Sequence, residues 1–292
     1  MTGDDPERPP RPGRARPGRR RPLLLAALLG LVGAAGIWLI NHERSNPAPA
    51  APPTTTAEPP PVSLTFPEGL RREDMASILR ERTRLSPDAY LAATGPSPRG
   101  ERLAGTSRPT SLEGFLFPAT YLVGSLTTVD DLVDAQVAAY RSRVAGVDYR
   151  YARSRNLPRY DVLIIASMVE REVQVPSERA LVAGVIYNRL RRRMRLDIDA
   201  TVRYAIGSWT APITQSDLEI DSRYNTRRFS GLPPGPISNP GLASIRAAAH
   251  PRITPYIYFV AREDGTGRHY FATTPDQFDR AVARARRNAA GG

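Results

Sequence analysis

The most prominent feature in the pattern of hydrophobic and polar positions is an uninterrupted apolar segment near the N-terminus. Residues 23–40 carry no charged side chain, and an α-helix of that length is about 27 Å long, close to the thickness of a bilayer's hydrocarbon core. Residues 1–22 contain seven arginines against three acids, whereas few charges follow the apolar segment directly. The positive-inside rule therefore predicts a single-pass anchor in the cell membrane, with a cytoplasmic N-terminus and the rest of the chain outside.

A cleaved secretory signal peptide is the alternative for the same segment. Ala48, Pro49 and Ala50 resemble a small-residue cleavage site. A signal peptide, however, usually has an apolar core of about 7–15 residues. The greater length of the segment favours an anchor that is not cleaved.

The pattern then changes to a spacer and a small mixed unit. Residues 41–61 are rich in Pro, Ala and Thr and offer little to bury, which predicts an extended linker. In the residues that follow, apolar positions recur first with the period of a strand and then with the period of a helix. The predicted elements are a strand at 62–66, a helix at 72–84, a helix that begins at Ser86–Pro87, and a later strand at 120–123.

A larger region begins after residue 156. Residues 162–169 are apolar or small at every position, which predicts a helix buried on all sides. Ser177 is the predicted N-cap of an amphipathic helix. A Pro/Gly loop at 231–236, a strand at 256–260 and a final helix at 275–287 complete an α+β fold. The predicted segments are a cytoplasmic tail (1–22), a transmembrane helix (23–40), a linker (41–61), a small subdomain (62–105) and a larger α+β domain (106–290).

Composition excludes several kinds of chemistry. The sequence has no cysteine and no lysine, which rules out thiol nucleophiles, zinc–thiolate sites and lysine Schiff bases. Its three histidines are far apart and have no metal-ligand spacing. The net charge is +12, of which the tail supplies +4 (seven arginines less three acids). Because the remaining +8 is spread without long basic runs, we expect anionic polymers outside the membrane, not nucleic acid, as partners.

Glu170 stands out on physical grounds. It continues the buried helix, so its carboxyl group is partly removed from water, and burial favours the protonated form that a general acid needs. Glu172 lies about 200° further around the helix and cannot share the same pocket. The alternative is a structural glutamate that ends the helix and pairs with an arginine. The candidates for that arginine are Arg171, Arg179 and Arg189.

Long stretches of the sequence carry a resemblance to a known family. They are LEGFLFPATY, then IIASMVEREVQVPSERALVAGVIYNRLRRRMRLDIDATVRYAIG, and then YNTRRFSGLPPGPISNPGLASIRAAAHP followed by YIYFV. With their order and spacing, residues 62–285 resemble the YceG-like endolytic murein transglycosylases. The resemblance implies that Glu170, the first glutamate of the SMVERE segment, is catalytic. It also implies that residues 62–105 form a LysM-like βααβ subdomain that binds glycan.

The implied reaction needs a single enzyme acid and no metal or cofactor. Glu170 would protonate the oxygen between N-acetylmuramic acid and N-acetylglucosamine within a nascent strand. The muramoyl C6 hydroxyl would then close onto C1, which leaves a 1,6-anhydro end and terminates glycan elongation. Ordinary glycosidases use two carboxylates, so a second acid remains an open alternative. The candidates for that role are Glu113, Asp197 and Asp199.

Several polar residues are candidates for binding the glycan. Tyr224 can stack on a sugar and Asn225 can bond an N-acetyl group, or the two can form a structural turn. The others can face the cleft or serve local turns and hydrogen-bond networks. These are Glu113, Asn188, Asp199, Ser238 and Asn239.

The implied partners are peptidoglycan glycan strands and the penicillin-binding proteins that synthesise them. Two non-enzymatic functions stay open from the sequence. One is a silent glycan-binding anchor, in which Glu170 is structural. The other is a membrane scaffold for the cell-wall synthesis machinery.

Overall fold

The computed structural model describes residues 60–108 and 110–291. The predicted tail, the predicted transmembrane helix at 23–40 and most of the predicted linker lie outside the described residues. No helix in the described ranges combines the length and the apolar character needed to cross a membrane.

The described chain is α+β, as the sequence predicts. The first elements are β1 (Val62–Thr65), α1 (Arg72–Arg82), α2 (Pro87–Thr94), α3 (Pro98–Ala104), β2 (Thr120–Val123), α4 (Val129–Val144) and α5 (Arg150–Arg153). Next come α6 (Arg159–Glu172), a 3-10 turn (Pro176–Glu178), α7 (Arg179–Arg191), α8 (Asp199–Ile206) and α9 (Gln215–Leu218). The last are α10 (Leu242–Ala249), β3 (Tyr258–Ala261), β4 (His269–Ala272) and α11 (Pro275–Gly291).

A first hydrophobic cluster joins β1, β2, α1, α2 and α4. β1 and β2 pair antiparallel, with Val62 opposite Val123 and Thr65 opposite Thr120. The core of this cluster includes Leu64, Phe66, Met75, Leu79 and Tyr90, and it continues into residues 112–137. Because the partner strand of β1 lies beyond residue 105, the predicted end of the small subdomain falls inside this cluster. The elements of this unit follow in the order β1, three helices (α1 to α3) and β2. This is one short helix more than predicted.

The second and larger cluster surrounds α6. Every residue from Val162 to Val169 is buried, which confirms that the predicted apolar run forms a helical segment without a solvent-facing side. α7 and α10 pack directly against it. α7 begins after the 3-10 turn, with Glu178 and not Ser177 at its N-cap and no side-chain capping bond, so the predicted Ser177 cap is wrong.

The Pro/Gly loop at 231–236 and the residues after it cross α6 and approach its C-terminal end. The amide of Ile237 donates to Oγ of Ser167 at 3.0 Å, and Oγ of Ser238 donates to the Ser167 carbonyl at 3.2 Å. Ser167 is small enough to let the loop lie against the helix. These bonds lead the chain to Gly241, beside the end of α6.

Candidate active site

Glu170 lies in the last turn of α6, with only 7% of its side chain exposed. Its Oε2 accepts a hydrogen bond from the amide of Gly241 at 3.0 Å. Nη2 of Arg179 lies 3.8 Å from its Oε1, and Nε of Arg179 donates to Oγ of Ser244 at 3.1 Å, which orients the guanidinium group. Gly241 precedes α10, so the positive end of that helix faces the carboxyl group. These donors are placed to interact with both oxygens of the Glu170 carboxyl group.

The three arginines considered as structural partners of Glu170 have different positions. Arg179 is the one near its carboxyl oxygens. Arg171 donates to the Gly69 carbonyl at 3.2 Å and stacks on the ring of Trp209 at 3.9 Å. Arg189 pairs with Asp197 at 3.0 Å. At 3.8 Å, the contact with Arg179 is a charge–charge approach and not a hydrogen bond.

A second carboxyl group, absent from the predicted site, belongs to Glu68 in the turn between β1 and α1. A side-chain carbon at Gly241 would lie only 1.8 Å from Oε1 of Glu68, so this approach requires glycine. Glu68 is an exposed residue, yet partial burial of its carboxyl group raises the pKa. The negative charge of Glu170 raises it further, whereas Arg179 lowers it. Glu68 and Glu170 therefore both contact Gly241.

Asn239 links three segments around this site. Its Oδ1 accepts from the amides of Gly114 and Leu116 at 2.8 and 3.0 Å. Its Nδ2 donates to the Leu70 carbonyl at 3.0 Å and to Oε1 of Glu113 at 2.6 Å. The Asn239 carbonyl accepts from the amide of Gly69 at 2.9 Å, which fixes the turn that carries Glu68. Asn239 is fully buried, so it positions the site from within and is not available to a glycan.

Glu113 is also inside the protein. Its side chain is 1% exposed, and burial raises its pKa to about 8, so it is mainly protonated near neutral pH. Tyr204 donates to its Oε2 at 3.5 Å. The expectation that Glu113 faces the cleft is therefore corrected: it partners Asn239 and lies away from substrate.

Two more of the predicted binding residues are fully buried. Ser238 bonds the Ser167 carbonyl, and Asn225 donates from Nδ2 to the carbonyls of Leu218 and Ile220, both at 3.0 Å. Their hydrogen-bonding groups serve neighbouring turns. The expectation that they contact glycan is replaced by a supporting function.

Tyr224, Asp199 and Asn188 are partly or fully accessible. The ring of Tyr224 lies 4.8 Å from the ring of Tyr204, and burial raises its pKa. Asp199 pairs with Arg227 at 2.6 Å and is half exposed. Asn188 donates from Nδ2 to two backbone carbonyls of the segment that follows α10, those of Thr254 and Tyr256. Asn188 lines a separate cavity that does not include Glu170.

Metal ligation was not expected from the sequence. Within residues 60–108 and 110–291, no cluster of three or more His, Asp or Glu side chains has an arrangement suited to a metal ion. The buried His269 instead lies 2.8 Å from Oε2 of Glu178.

Comparison with known proteins identifies the fold. A sequence model of the YceG-like family matches residues 34–284. The chain belongs to the YceG-like family. A 2.6 Å crystal structure of a YceG-like protein from Listeria monocytogenes superposes on it with a TM-score of 0.67 and 32% identity, over 76% of each chain.

Two relatives of this YceG-like chain carry the name endolytic murein transglycosylase. The one from Bacillus subtilis is 41% identical over 156 residues, which are 53% of this chain and 43% of the relative. The one from Streptococcus pneumoniae strain R6 is 33% identical over 250 residues, which are 77% of this chain and 45% of the relative. The chain thus matches less than half the length of either relative.

In this YceG-like chain, four of the predicted site residues occupy three kinds of position. Glu170 occupies the end of α6 beside Gly241 and Arg179. Asn239 and Glu113 support that end from inside. Asn188 lies elsewhere, at the separate cavity. Glu68 carries no local signal apart from a Pro-Glu-Gly turn, so only the tertiary structure identifies it.

Proposed function

We propose that this protein is a membrane-anchored endolytic lytic transglycosylase of peptidoglycan. It would cleave the bond between N-acetylmuramic acid and N-acetylglucosamine within nascent strands and so terminate their elongation. The observation that carries the proposal is the nearly buried carboxyl group of Glu170, held by the Gly241 amide and Arg179 at one end of α6. The names of the two relatives support the same reaction.

The mechanism follows from one acid with two successive tasks. Protonated Glu170 donates its proton to the glycosidic oxygen as the C1–O bond breaks, and N-acetylglucosamine leaves as an alcohol. The resulting carboxylate is stabilised by the Gly241 amide and by Arg179. It then accepts the proton of the muramoyl C6 hydroxyl while that oxygen bonds to C1. The acid is regenerated, no water is consumed, and the product carries a 1,6-anhydro ring.

Glu68 suits the position of a second carboxylate. It is more exposed than Glu170 and shares contact with Gly241. A negative charge there would stabilise the positive charge that develops at C1 as the glycosidic bond breaks. Asp199, considered for this function from the sequence, is instead paired with Arg227.

Glu68→Gln is therefore expected to lower kcat about 10-fold with little change in KM, since it removes charge but keeps shape. If Glu68 acts as an anion, its effect is lost when the pH falls through its raised pKa and the carboxylate is protonated. Wild-type activity should therefore decline on acidification, and at a higher pH than the ordinary pKa of a glutamate would give. The substitution should remove that decline. Glu81→Gln, on the exposed face of α1, is the control. A normal kcat and an unaltered pH profile would leave Glu68 without a catalytic function.

The remaining parts of the proposal concern attachment and partners. Residues 23–40 would anchor the protein, and residues 41–61 would hold the folded part away from the membrane. The unit around the β1–β2 pair would act as a LysM-like glycan-binding subdomain, which the antiparallel pairing of two strands separated by helices supports. Penicillin-binding proteins are the expected partners, because they produce the strands on which the enzyme would act.

The length distribution of the products tests the proposed function. Uncrosslinked glycan strands, incubated with the wild-type protein, should pass early through a broad range of intermediate lengths. Accumulation of terminal disaccharide alone would leave the chemistry intact but remove the endolytic claim. An absence of shorter products, together with binding to the strands, would favour the silent glycan-binding anchor.

A further inference from the structure

A cavity of about 690 Å³ opens beside the N-terminal half of α6, and its lining does not include Glu170. Ile164 from α6, Asn188 from α7, Leu232 from the Pro/Gly loop and Thr254 from the segment after α10 are among the residues that line it. Its volume lies within the range of small-ligand sites. The reaction proposed above does not involve this cavity.

The lining of this cavity is strongly cationic. Five arginines line it against one carboxylate, that of Asp161, so the formal charge of the lining is 5 − 1 = +4. These arginines are Arg108, Arg155, Arg191, Arg223 and Arg252.

The charge of these arginines is not neutralised by neighbouring acids. Among residues 60–108 and 110–291, no carboxylate lies within 4.0 Å of any of the five guanidinium groups, whereas Arg179, Arg189 and Arg227 have such partners. Burial raises the pKa of Asp161, although the charge of Arg108 opposes that shift. A concave surface lined mainly by one sign of charge concentrates counter-ions of the opposite sign.

Two of the arginines are held by aromatic rings. The guanidinium of Arg155 lies 5.2 Å from the ring centre of Tyr151, and that of Arg223 lies 4.9 Å from the ring centre of Phe229. Such stacking restricts a side chain without removing its charge. The cavity therefore presents partly ordered guanidinium groups, which are suited to carboxylates.

The cavity and the candidate active site share two elements. Ile164 in the cavity lining precedes Glu170 by six residues on α6, which corresponds to about 9 Å along the helix axis. The loop that supplies Leu232, Pro233 and Pro234 to the cavity continues across α6 to Gly241, which bonds Glu170. Six residues also turn the helix by about 240°, so a polymer bound at Glu170 would follow this loop around α6 to place its neighbouring groups at the cavity.

We propose that the arginine-lined cavity binds the carboxylates of the peptide stems that peptidoglycan strands carry. This inference rests on the proposed function, since it assigns the cavity to the same substrate. Peptide stems are the anionic part of an uncrosslinked strand, and the apolar side chains of Ile164, Leu190 and Leu232 in the lining suit their aliphatic portions. Binding there would make the enzyme prefer strands with intact stems.

Binding to a form that cannot turn over tests this proposal. The Glu170→Gln protein is titrated, at low ionic strength, with a short uncrosslinked strand that carries peptide stems and with the same strand after the stems are removed. We expect the peptide-bearing strand to bind about 10-fold more tightly, as two partly screened ion pairs allow. The preference should decrease as salt is added.

The arginines are tested by substituting Arg155→Gln and Arg191→Gln together. The matched control substitutes Arg153→Gln and Arg192→Gln, two exposed arginines that are close in sequence but outside the lining, so the net charge changes equally. The first pair should abolish the preference for peptide-bearing strands and leave binding of peptide-free strands unchanged. The control pair should retain the preference.

Other outcomes contradict the proposal in distinguishable ways. Equal binding of both strands by the Glu170→Gln protein would overturn the cavity assignment and leave the proposed function standing. Failure to bind either strand would contradict the proposed function as well. Stronger competition by a glycerol phosphate polymer than by a soluble stem peptide would assign the cavity to phosphodiesters instead.

Discussion

Glu170→Gln is expected to remain folded and to lose about 100-fold or more of its activity on uncrosslinked glycan strands. Glutamine keeps the shape of the side chain and can still accept a hydrogen bond from the Gly241 amide. It has no acidic proton to transfer to the leaving oxygen. Because the interaction is lost in the transition state and not in the bound strand, kcat should fall and KM should change little. Initial rates of strand cleavage, with circular dichroism as a measure of folding, provide the test.

Glu172→Gln is the matched control for this substitution. It lies two residues further along α6, where its Oε1 accepts from the amide of Ala200 at 3.2 Å. Burial raises its pKa to about 7, so near neutral pH a large fraction of Glu172 is protonated and an uncharged glutamine resembles that form. We expect activity within a few-fold of wild type. If Glu170→Gln also remained within a few-fold, Glu170 would be the structural glutamate that the sequence left open.

Glu170 was accessible to sequence reasoning because its signals are local. An unbroken apolar run predicts a buried helix, and a carboxyl group at the end of that run must be partly removed from water. The structure confirms both features, since residues 162–169 are buried and the Glu170 side chain is 7% exposed. The family resemblance identified the same residue independently.

The residues that surround Glu170 cannot be predicted from the sequence in the same way. Glu68 precedes Glu170 by 102 positions (170 − 68) and reaches it only because the β1–α1 turn is bonded to Asn239. Contacts between residues so far apart in sequence depend on how the hydrophobic clusters pack against each other. The periodicity of apolar residues within one helix or strand does not predict that packing. The collision that a side-chain carbon at Gly241 would have with Glu68 is likewise visible only in the structure.

Asn239 and Glu113 show that residue type alone leaves two functions open. In the sequence both are polar residues beside turns, where a side chain can bind a ligand or serve a local hydrogen-bond network. The structure places them inside, where Asn239 satisfies two amides and bonds Glu113. Removal of a buried amide of this kind would leave several backbone groups without partners. Burial, and not residue type, distinguishes the two functions.

The limit of the small subdomain depends on the same kind of long-range pairing. β2 was predicted near residue 120, but its partner β1 is 58 residues earlier (120 − 62) and the pairing register is a property of the fold. Residues between the two strands, such as Leu112 and Leu116, complete the same hydrophobic cluster. Any truncation at residue 105 would therefore expose apolar surface, and a later boundary is preferable for expression of the unit.

The prediction with the largest expected effect concerns the reaction type, because oxygen from water is either incorporated into every new end or into none. If the muramoyl C6 hydroxyl closes onto C1, no oxygen from water enters the product. New ends formed in heavy-oxygen water should then be unlabelled and should be lighter than hydrolytic ends by the mass of one water. A muramidase that hydrolyses the same strands, run in parallel, provides the labelled reference.

Mass spectrometry of the new ends in heavy-oxygen water therefore tests the central claim, an intramolecular cleavage promoted by Glu170, most directly. We predict unlabelled 1,6-anhydro ends with the wild-type protein and no new ends above background with Glu170→Gln. Heavy oxygen at the new reducing ends would contradict the claim. The enzyme would then be a hydrolase, with Glu68 as the first candidate to activate the water.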